Sequence, residues 1–268
     1  MPTALQRARG AARIAVRAED GKTCLARLYQ DGCGKIRLPR DHSALGLEAV
    51  LINSSGGLTD GDRLTWDAEV GPGARLTLTT QACEKVYRAR AGQAETAVTL
   101  DLGEGASLDW LPQETILFDG GALARRLEAD LAADARLLAV EAVVLGREAM
   151  GESVRHGRLA DRWRIRREGR LVFADDLRLE GAITDLAAKA CVLAGARAFA
   201  SMLLVADDAE RFLPAVRAAL GPRGGASAFD GKLFARVAAA DGFVLRQTLL
   251  PALEALRDGR PLPRVWRA

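Results

Sequence analysis

The chain has 268 residues, of which 49% are hydrophobic, enough to fill one large core or two small ones without covalent staples. Its 38 basic and 35 acidic residues leave a formal charge of +3 dispersed along the whole length. That balance excludes the concentrated basic face on which phosphate-driven nucleic-acid binding depends. Every apolar run is broken by Arg or Asp before it reaches the roughly 18 residues of a membrane helix, so a soluble protein is expected.

Met1–Arg13 carries Arg7, Arg9 and Arg13 but no continuous apolar stretch, and reads as a loose leader rather than an export signal. Cys24, Cys33, Cys83 and Cys191 are scattered without a CxxC pair, as suits a reduced cytoplasm. From about Ala12 to about Glu180 the chain consists of short alternating segments punctuated by glycine, such as Arg75-Leu-Thr-Leu-Thr-Thr80 and Thr96-Ala-Val-Thr-Leu-Asp101. Alternation with period two sends successive side chains to opposite faces, so a β-rich region is predicted over 12–205. Two apolar runs, Ala135 to Leu145 and Cys191 to Val205, cannot be typed by periodicity; β-branched residues favour a buried strand for the first. Glu168-Gly169 between Trp163–Arg166 and Leu171–Phe173 predicts a hairpin.

Gly71-Pro-Gly-Ala-Arg-Leu recurs as Gly103-Glu-Gly-Ala-Ser-Leu about 32 residues later, and a weaker copy begins near Ala135-Arg-Leu. This reads either as units stacking on a common core or as a common turn that happens to precede two strands. The part from 206 to 268 changes character. Asp207 and Asp208 stand where an N-cap is wanted, and Phe212, Leu213, Val216 and Leu220 follow at helical spacing as far as Gly221. Lys232 to Ala240 is ambiguous. Asp241 then caps a second helix through Val244, Leu245, Thr248, Leu249, Leu253 and Leu256, ending near Gly259, with Pro251 expected to kink or restart it. No low-complexity linker divides the chain, so 1–268 is read as one β-rich domain with two helices attached.

The chemistry-bearing residues are few. Only His42 and His156 could serve as a catalytic base, neither in a motif, and GxSxG is missing. No glycine-rich loop ends in Lys and Ser or Thr; Gly221-Pro-Arg-Gly-Gly225 reads as an ordinary loop. No clustered Cys or His predicts a permanent metal cage. Carboxylates stand out instead: Asp62, Glu84, Glu114, Asp119, Glu141, Glu148 and Glu152 lie in or beside segments that otherwise read as buried. They either pair with Lys85, Arg88, Arg147 or Arg155, or together line a wet internal passage. Oxygen ligands hold late transition-metal cations more weakly than thiolate or imidazole clusters, so such a passage would let a cation move on. A carbohydrate-active β-helix enzyme using a carboxylate pair is the alternative, disfavoured by an aromatic content of 5%.

Several blocks in fixed order resemble the UreD (UreH) family of urease accessory proteins. They include Glu48-Ala-Val-Leu-Ile-Asn53, Gly56-Gly-Leu-Thr-Asp-Gly-Asp-Arg63, Thr79-Thr-Gln-Ala-Cys-Glu-Lys-Val-Tyr-Arg88, Trp110-Leu-Pro-Gln-Glu-Thr-Ile-Leu-Phe-Asp119, Gly146-Arg-Glu-Ala-Met-Gly-Glu152 and Leu262-Pro-Arg-Val-Trp266. The likeness covers roughly Ala12 to Trp266. One departure is Asp60, where the family pattern has Gly; Asp tolerates a left-handed turn, so the turn is expected to survive. The resemblance implies a β-helix-like, two-layered fold with two α-helices in the C-terminal third. It also implies a chaperone without catalytic activity of its own, a platform for nickel insertion into apo-urease subunits alongside UreF and the GTPase UreG. No cofactor is expected to be tightly bound, Ni²⁺ being held only in transit. Within the matched blocks, Asp62, Glu84, Glu114 and Glu141 are assigned to the transient nickel route.

Overall fold

The structure, a computed structural model, describes residues 7–39, 46–147 and 150–267. Alternation becomes two packed sheets. The seven-stranded sheet runs in the order β14 (Arg170–Gly181), β13 (Gly157–Arg167), β11 (Ala122–Leu131), β8 (Ala94–Leu102), β5 (Arg63–Val70), β1 (Arg9–Glu19) and β2 (Lys22–Gly32). The ten-stranded sheet runs β16 (Gly224–Phe229), β17 (Lys232–Ala239), β15 (Ala198–Val205), β12 (Arg136–Leu145), β9 (Ser107–Leu111), β6 (Arg75–Thr80), β4 (Leu47–Asn53) and β3 (Gly34–Arg37). Two short strands, β7 (Glu84–Val86) and β10 (Thr115–Leu117), pair with each other and β10 joins them to β12.

The repeat is the architecture. The chain leaves the first sheet at Gly71, Gly103 and Ala132 and enters the second after Ala74, Ala106 and Ala135. Each corner is closed by a hydrogen bond from the last residue to the first, at 3.0, 3.1 and 3.2 Å. Corners also bond to one another, Ser107 N to Ala74 O and Arg136 N to Ala106 O, both at 2.9 Å. In consequence β5, β8, β11 and β13 are parallel and in register, as are β6, β9 and β12. A parallel neighbour requires a crossover, and here the crossover is a strand of the opposite sheet, which is the coil of a β-helix. The weak third copy is a true corner. It departs from the motif because Asp134 replaces the left-handed Gly73 and Gly105, and its carboxylate accepts from Gly105 N at 2.7 Å.

One core lies between the sheets, where Leu64, Val98 and Leu127 meet Leu76, Leu108 and Leu137. A second lies on the other face of the larger sheet, where Leu138, Val140, Met202 and Leu204 pack under two helices, α2 (Leu213–Leu220) and α3 (Gly242–Leu256). Central strands covered on both faces read as continuous apolar runs, and this types the ambiguous segments. Ala135 to Leu145 contains β12, while only Ala198–Val205 of the second run is a strand, every residue of it buried. The hairpin at Glu168-Gly169 forms, both residues at positive φ (50° and 70°), the geometry that matches strand twist.

The C-terminal part holds both expected helices, and also β16 and β17, the latter made from the ambiguous Lys232 segment. Two short helices escaped the sequence reading, α1 (Ile183–Ala188) and α4 (Arg264–Arg267). Trp266 of α4 is fully buried and donates Nε1–H to Leu111 O at 3.0 Å, fastening the C-terminal segment onto β9. The α2 cap departs from expectation. A 3₁₀ turn at Ala209–Phe212 precedes the helix, and Asp208 makes no capping bond, its carboxylate being taken by Arg211 Nε at 2.7 Å. Asp241 caps α3 as expected, accepting from Val244 N at 2.7 Å. The helix ends at Leu256 and runs through Pro251 as one element, because Pro251 lies on the exposed side and its missing N–H costs no buried bond. No described helix is long and apolar enough to cross a membrane. Asp241→Ala should therefore lower unfolding stability by about 1 kcal/mol, whereas Asp208→Ala should change it by less than about 0.5 kcal/mol, as read from urea denaturation midpoints.

Candidate metal route

In-register stacking aligns residues 31 positions apart, and one such column is polar. Asn53 Nδ2 donates to both carboxylate oxygens of Glu84, at 3.2 and 3.1 Å. Glu84 stands in register with Thr115, on the face that looks into the sandwich. Thr115 Oγ1 accepts from Arg125 Nη1 at 3.2 Å, and the same guanidinium is bonded to Glu141 and, at 2.5 Å, to Asp161. Trp110 Nε1 donates to Glu141 at 2.9 Å and Trp163 Nε1 to Asp161 at 3.2 Å. A cavity of about 170 Å³ opens beside Glu84, lined by Asn53, Trp66, Thr80 and Cys83 among others. The arrangement is a polar thread running from a loop-bounded cavity to a charged triad between the sheets.

Burial pushes the Glu84 carboxyl up to about 7, against the opposing pull of the Asn53 and Lys85 hydrogen bonds. Burial also raises Glu141, and the nearby Asp161 charge adds to it, while Arg125 pulls the other way. Burial alone would lower Arg125; the charges of Asp161 and Glu141 more than reverse this and keep it protonated. One guanidinium cannot neutralise two carboxylates, so the triad carries one negative charge too many when fully ionised, and Glu141 resists ionisation.

The remaining carboxylates sit elsewhere. Glu114 points to the opposite face of the same sheet, with Cys83 Sγ at 3.4 Å and Arg246 Nε at 3.5 Å. Burial and the Glu114 charge push the Cys83 thiol up to about 11, so it stays protonated at neutral pH. Asp62 spends both oxygens on backbone amides, Ala8 N at 2.7 Å and Thr59 N at 2.8 Å. Asp119 pairs with Arg88 at 2.9 Å and Arg155 at 3.3 Å, and Glu152 pairs with Arg147 at 2.9 Å, as the ion-pair reading expected. Glu148 and His42 lie outside the described residues. Among those described, no three His, Cys, Asp or Glu side chains converge as a ready-made metal cage. A broad depression of about 520 Å³ over the outer face of the smaller sheet offers one carboxylate, Glu95, bound to Arg63 at 3.1 Å. Acid–base glycoside hydrolysis needs two.

A sequence model described as "UreD urease accessory protein" matches residues 8–267. The chain belongs to the UreD family. It is 54% identical to the urease accessory protein UreD of Agrobacterium fabrum over 99% of this chain and 93% of the relative. Against the UreD of Rhizobium leguminosarum bv. viciae it is 53% identical over 97% of this chain and 96% of the relative, and against that of a Chelativorans strain 50% over 99% and 96%.

The departure from the UreD turn at position 60 is explained differently from the sequence reading. Asp60 is not left-handed; Gly61 is, at φ 83°. The substituted position therefore makes no demand for glycine, and the turn survives on that account. The added carboxylate is buried, not a free surface charge. Hydrogen bonds from the amides of Arg90 and Ala91, with the Arg7 charge at 3.1 Å, hold its pKa below the usual carboxylate range.

Sequence reading missed Arg125, Asp161, Asn53 and the fully buried Asp109, which Arg136, Arg257 and Arg260 bind at 3.0, 2.5 and 3.1 Å. A signal for two of them was present. Arg125 shares the parity of Leu123, Leu127 and Ala129, and Asp161 that of Leu159, Trp163 and Ile165, so each is a charge on the core-facing side of its strand. Because Glu84 titrates higher folded than unfolded, the folded chain holds that proton more tightly, and stability should fall as pH rises from about 4.5 to about 7. In Glu84→Gln that segment of the stability–pH curve should flatten, giving the variant its greatest relative advantage above pH 7 in denaturation midpoints. Arg125→Met, which strands two buried carboxylates, should cost about 3–5 kcal/mol.

Proposed function

We propose that this chain is a scaffold, without catalytic activity of its own, for nickel insertion into apo-urease, acting in the cytoplasm with the accessory proteins UreF and UreG. The observation that carries the reading is the polar thread from Asn53 and Glu84 through Thr115 to Arg125, Glu141 and Asp161, within a protein whose relatives are named urease accessory proteins. A sandwich core of this size tolerates buried carboxylates only when they are paired or serve a purpose, and Glu84 has an amide and a small cavity rather than an ion pair beneath it. Ni²⁺ is the cargo. Glu84 is the carboxylate best placed to hold it at the cavity mouth, Glu141 would hold it deeper by exchanging Arg125 for the ion, and Glu114 and Asp62 stand nearby on the other face and in the glycine-rich turn. Oxygen donors without thiolate or imidazole partners hold the ion weakly enough to release it. The unpaired state of Cys24, Cys33, Cys83 and Cys191 supports a reducing compartment.

The test is urease activation with each of Asp62→Ala, Glu84→Ala, Glu114→Ala and Glu141→Ala, scored only for variants that still assemble with their partners. Glu84→Ala is expected to reduce activation about tenfold or more, by analogy with loss of a metal-supporting group. Full activation by all four would end the route, and turnover of any substrate by the purified chain alone would end the scaffold.

A further inference from the structure

The face of the larger sheet opposite the polar thread is covered by α3 over only part of its width. Beyond the helix, Lys85, Ile116 and Val144 share a rung and point outward. Tyr87 and Phe118 follow along the same strands, their rings packed edge to face at 5.1 Å, with the Arg147 guanidinium 4.3 Å from the Phe118 ring. The first turn of α3 abuts this surface: a β-carbon added at Gly242 would lie 3.1 Å from Val144 Cγ2. The next residue, Phe243, is 71% exposed, and Met150, in the loop after Arg147, is 72% exposed. Single exposed apolar side chains are ordinary, but Tyr87, Met150 and Phe243 stand close to one another around the Ile116, Phe118 and Val144 surface, and it is grouped apolar exposure that marks an interaction site.

Among the described residues, the cations of this surface stand further out than the carboxylates they bind. Arg88 and Arg155 converge on Asp119, but their side chains are 68% and 74% exposed while Asp119 is 12% exposed. Arg147 lies over Glu152 in the same way. Lys85 is exposed and makes no ion pair within 4 Å among the described residues. Asp119 and Glu152 lie beneath and the cations stand above them, so the described side chains that an approaching molecule meets include ammonium, guanidinium, aromatic rings and a thioether. Aromatic residues, Met and Arg are what the centres of protein interfaces are enriched in. The patch also borders the cavity beside Glu84. Tyr87 donates its hydroxyl hydrogen to Gly56 O at 3.1 Å, and Gly56, Gly57 and Lys85 line that cavity.

We infer that the surface formed by Tyr87, Met150 and Phe243 with Lys85, Arg88 and Arg147 is where an acidic, partly apolar face of apo-urease docks, over the mouth of the Glu84 cavity. The inference rests on the handover reading, since an ion leaving that cavity must pass to whatever covers it. Apolar contact supplies the hold. The cations supply orientation and on-rate, and their contribution falls as salt screens them.

The experiment immobilises nickel-free apo-urease and measures binding of the full chain by interferometry, with Phe243→Asp, Lys85→Glu and, as a control on the far sheet, Arg126→Glu. Phe243 and Lys85 are exposed, so neither substitution disturbs a core. Phe243→Asp should weaken binding about tenfold or more, Lys85→Glu should mainly slow association and reduce its salt dependence, and Arg126→Glu should bind as wild type. Wild-type binding by both patch variants overturns the inference while leaving the scaffold reading intact. So does loss of UreF binding with apo-urease binding retained, or a patch-dependent dimer in sedimentation. Failure of the unaltered chain to bind apo-urease would overturn the scaffold reading itself.

Discussion

Every layer of this protein depends on parallel strands being held in register from coil to coil. Each turn of chain crosses from one sheet to the other at a short corner, and each corner bonds to the one before it, Ser107 N to Ala74 O and Arg136 N to Ala106 O. A slip of one residue would turn the core-facing set outward on every strand of the coil at once. Register therefore fixes far more than the corners: it decides which side chains become neighbours across coils, and thereby creates the Asn53–Glu84–Thr115 column and the Trp110–Glu141 pair.

The same regularity explains how charge survives inside. Arg125, Glu141 and Asp161 come from three strands on the two sheets, and Trp110 and Thr115 come from two more, so the triad is assembled only when both sheets are closed. Such a cluster contributes little net stability against an apolar replacement, yet removing one partner leaves an uncompensated buried charge. Asp109, clamped by three arginines, uses similar chemistry for a different end: Arg257 and Arg260 come from and just beyond the C-terminus of α3, so the carboxylate anchors the helix to β9.

The larger sheet has two contrasting faces. The inner face carries the polar thread, and the outer face carries α3, the docked Trp266 and the open aromatic patch. The two meet at β7, where Lys85 lines the cavity and the Tyr87 hydroxyl donates to Gly56 O at its rim.

The β-rich class, the Glu168-Gly169 hairpin, the Asp241 cap and the family likeness were all legible in the sequence, because each depends on residues close together in the chain or on a fixed order of blocks. Asp134 in place of a corner glycine hid the third coil, and apolar strands covered on both faces, such as Ala198–Val205, carry no periodicity to read. Local order also misled at Asp208, whose carboxylate found Arg211 before it found a helix amide. What only the tertiary structure decided is which carboxylates meet. Asp62, Glu84, Glu114 and Glu141 look equivalent as letters in matched blocks, but one closes a turn, one borders a cavity, one faces a helix and one is clasped by Arg125. The fate of a buried charge is set by partners far away in the chain and by which side of a strand it occupies, and both are fixed only when the coils stack.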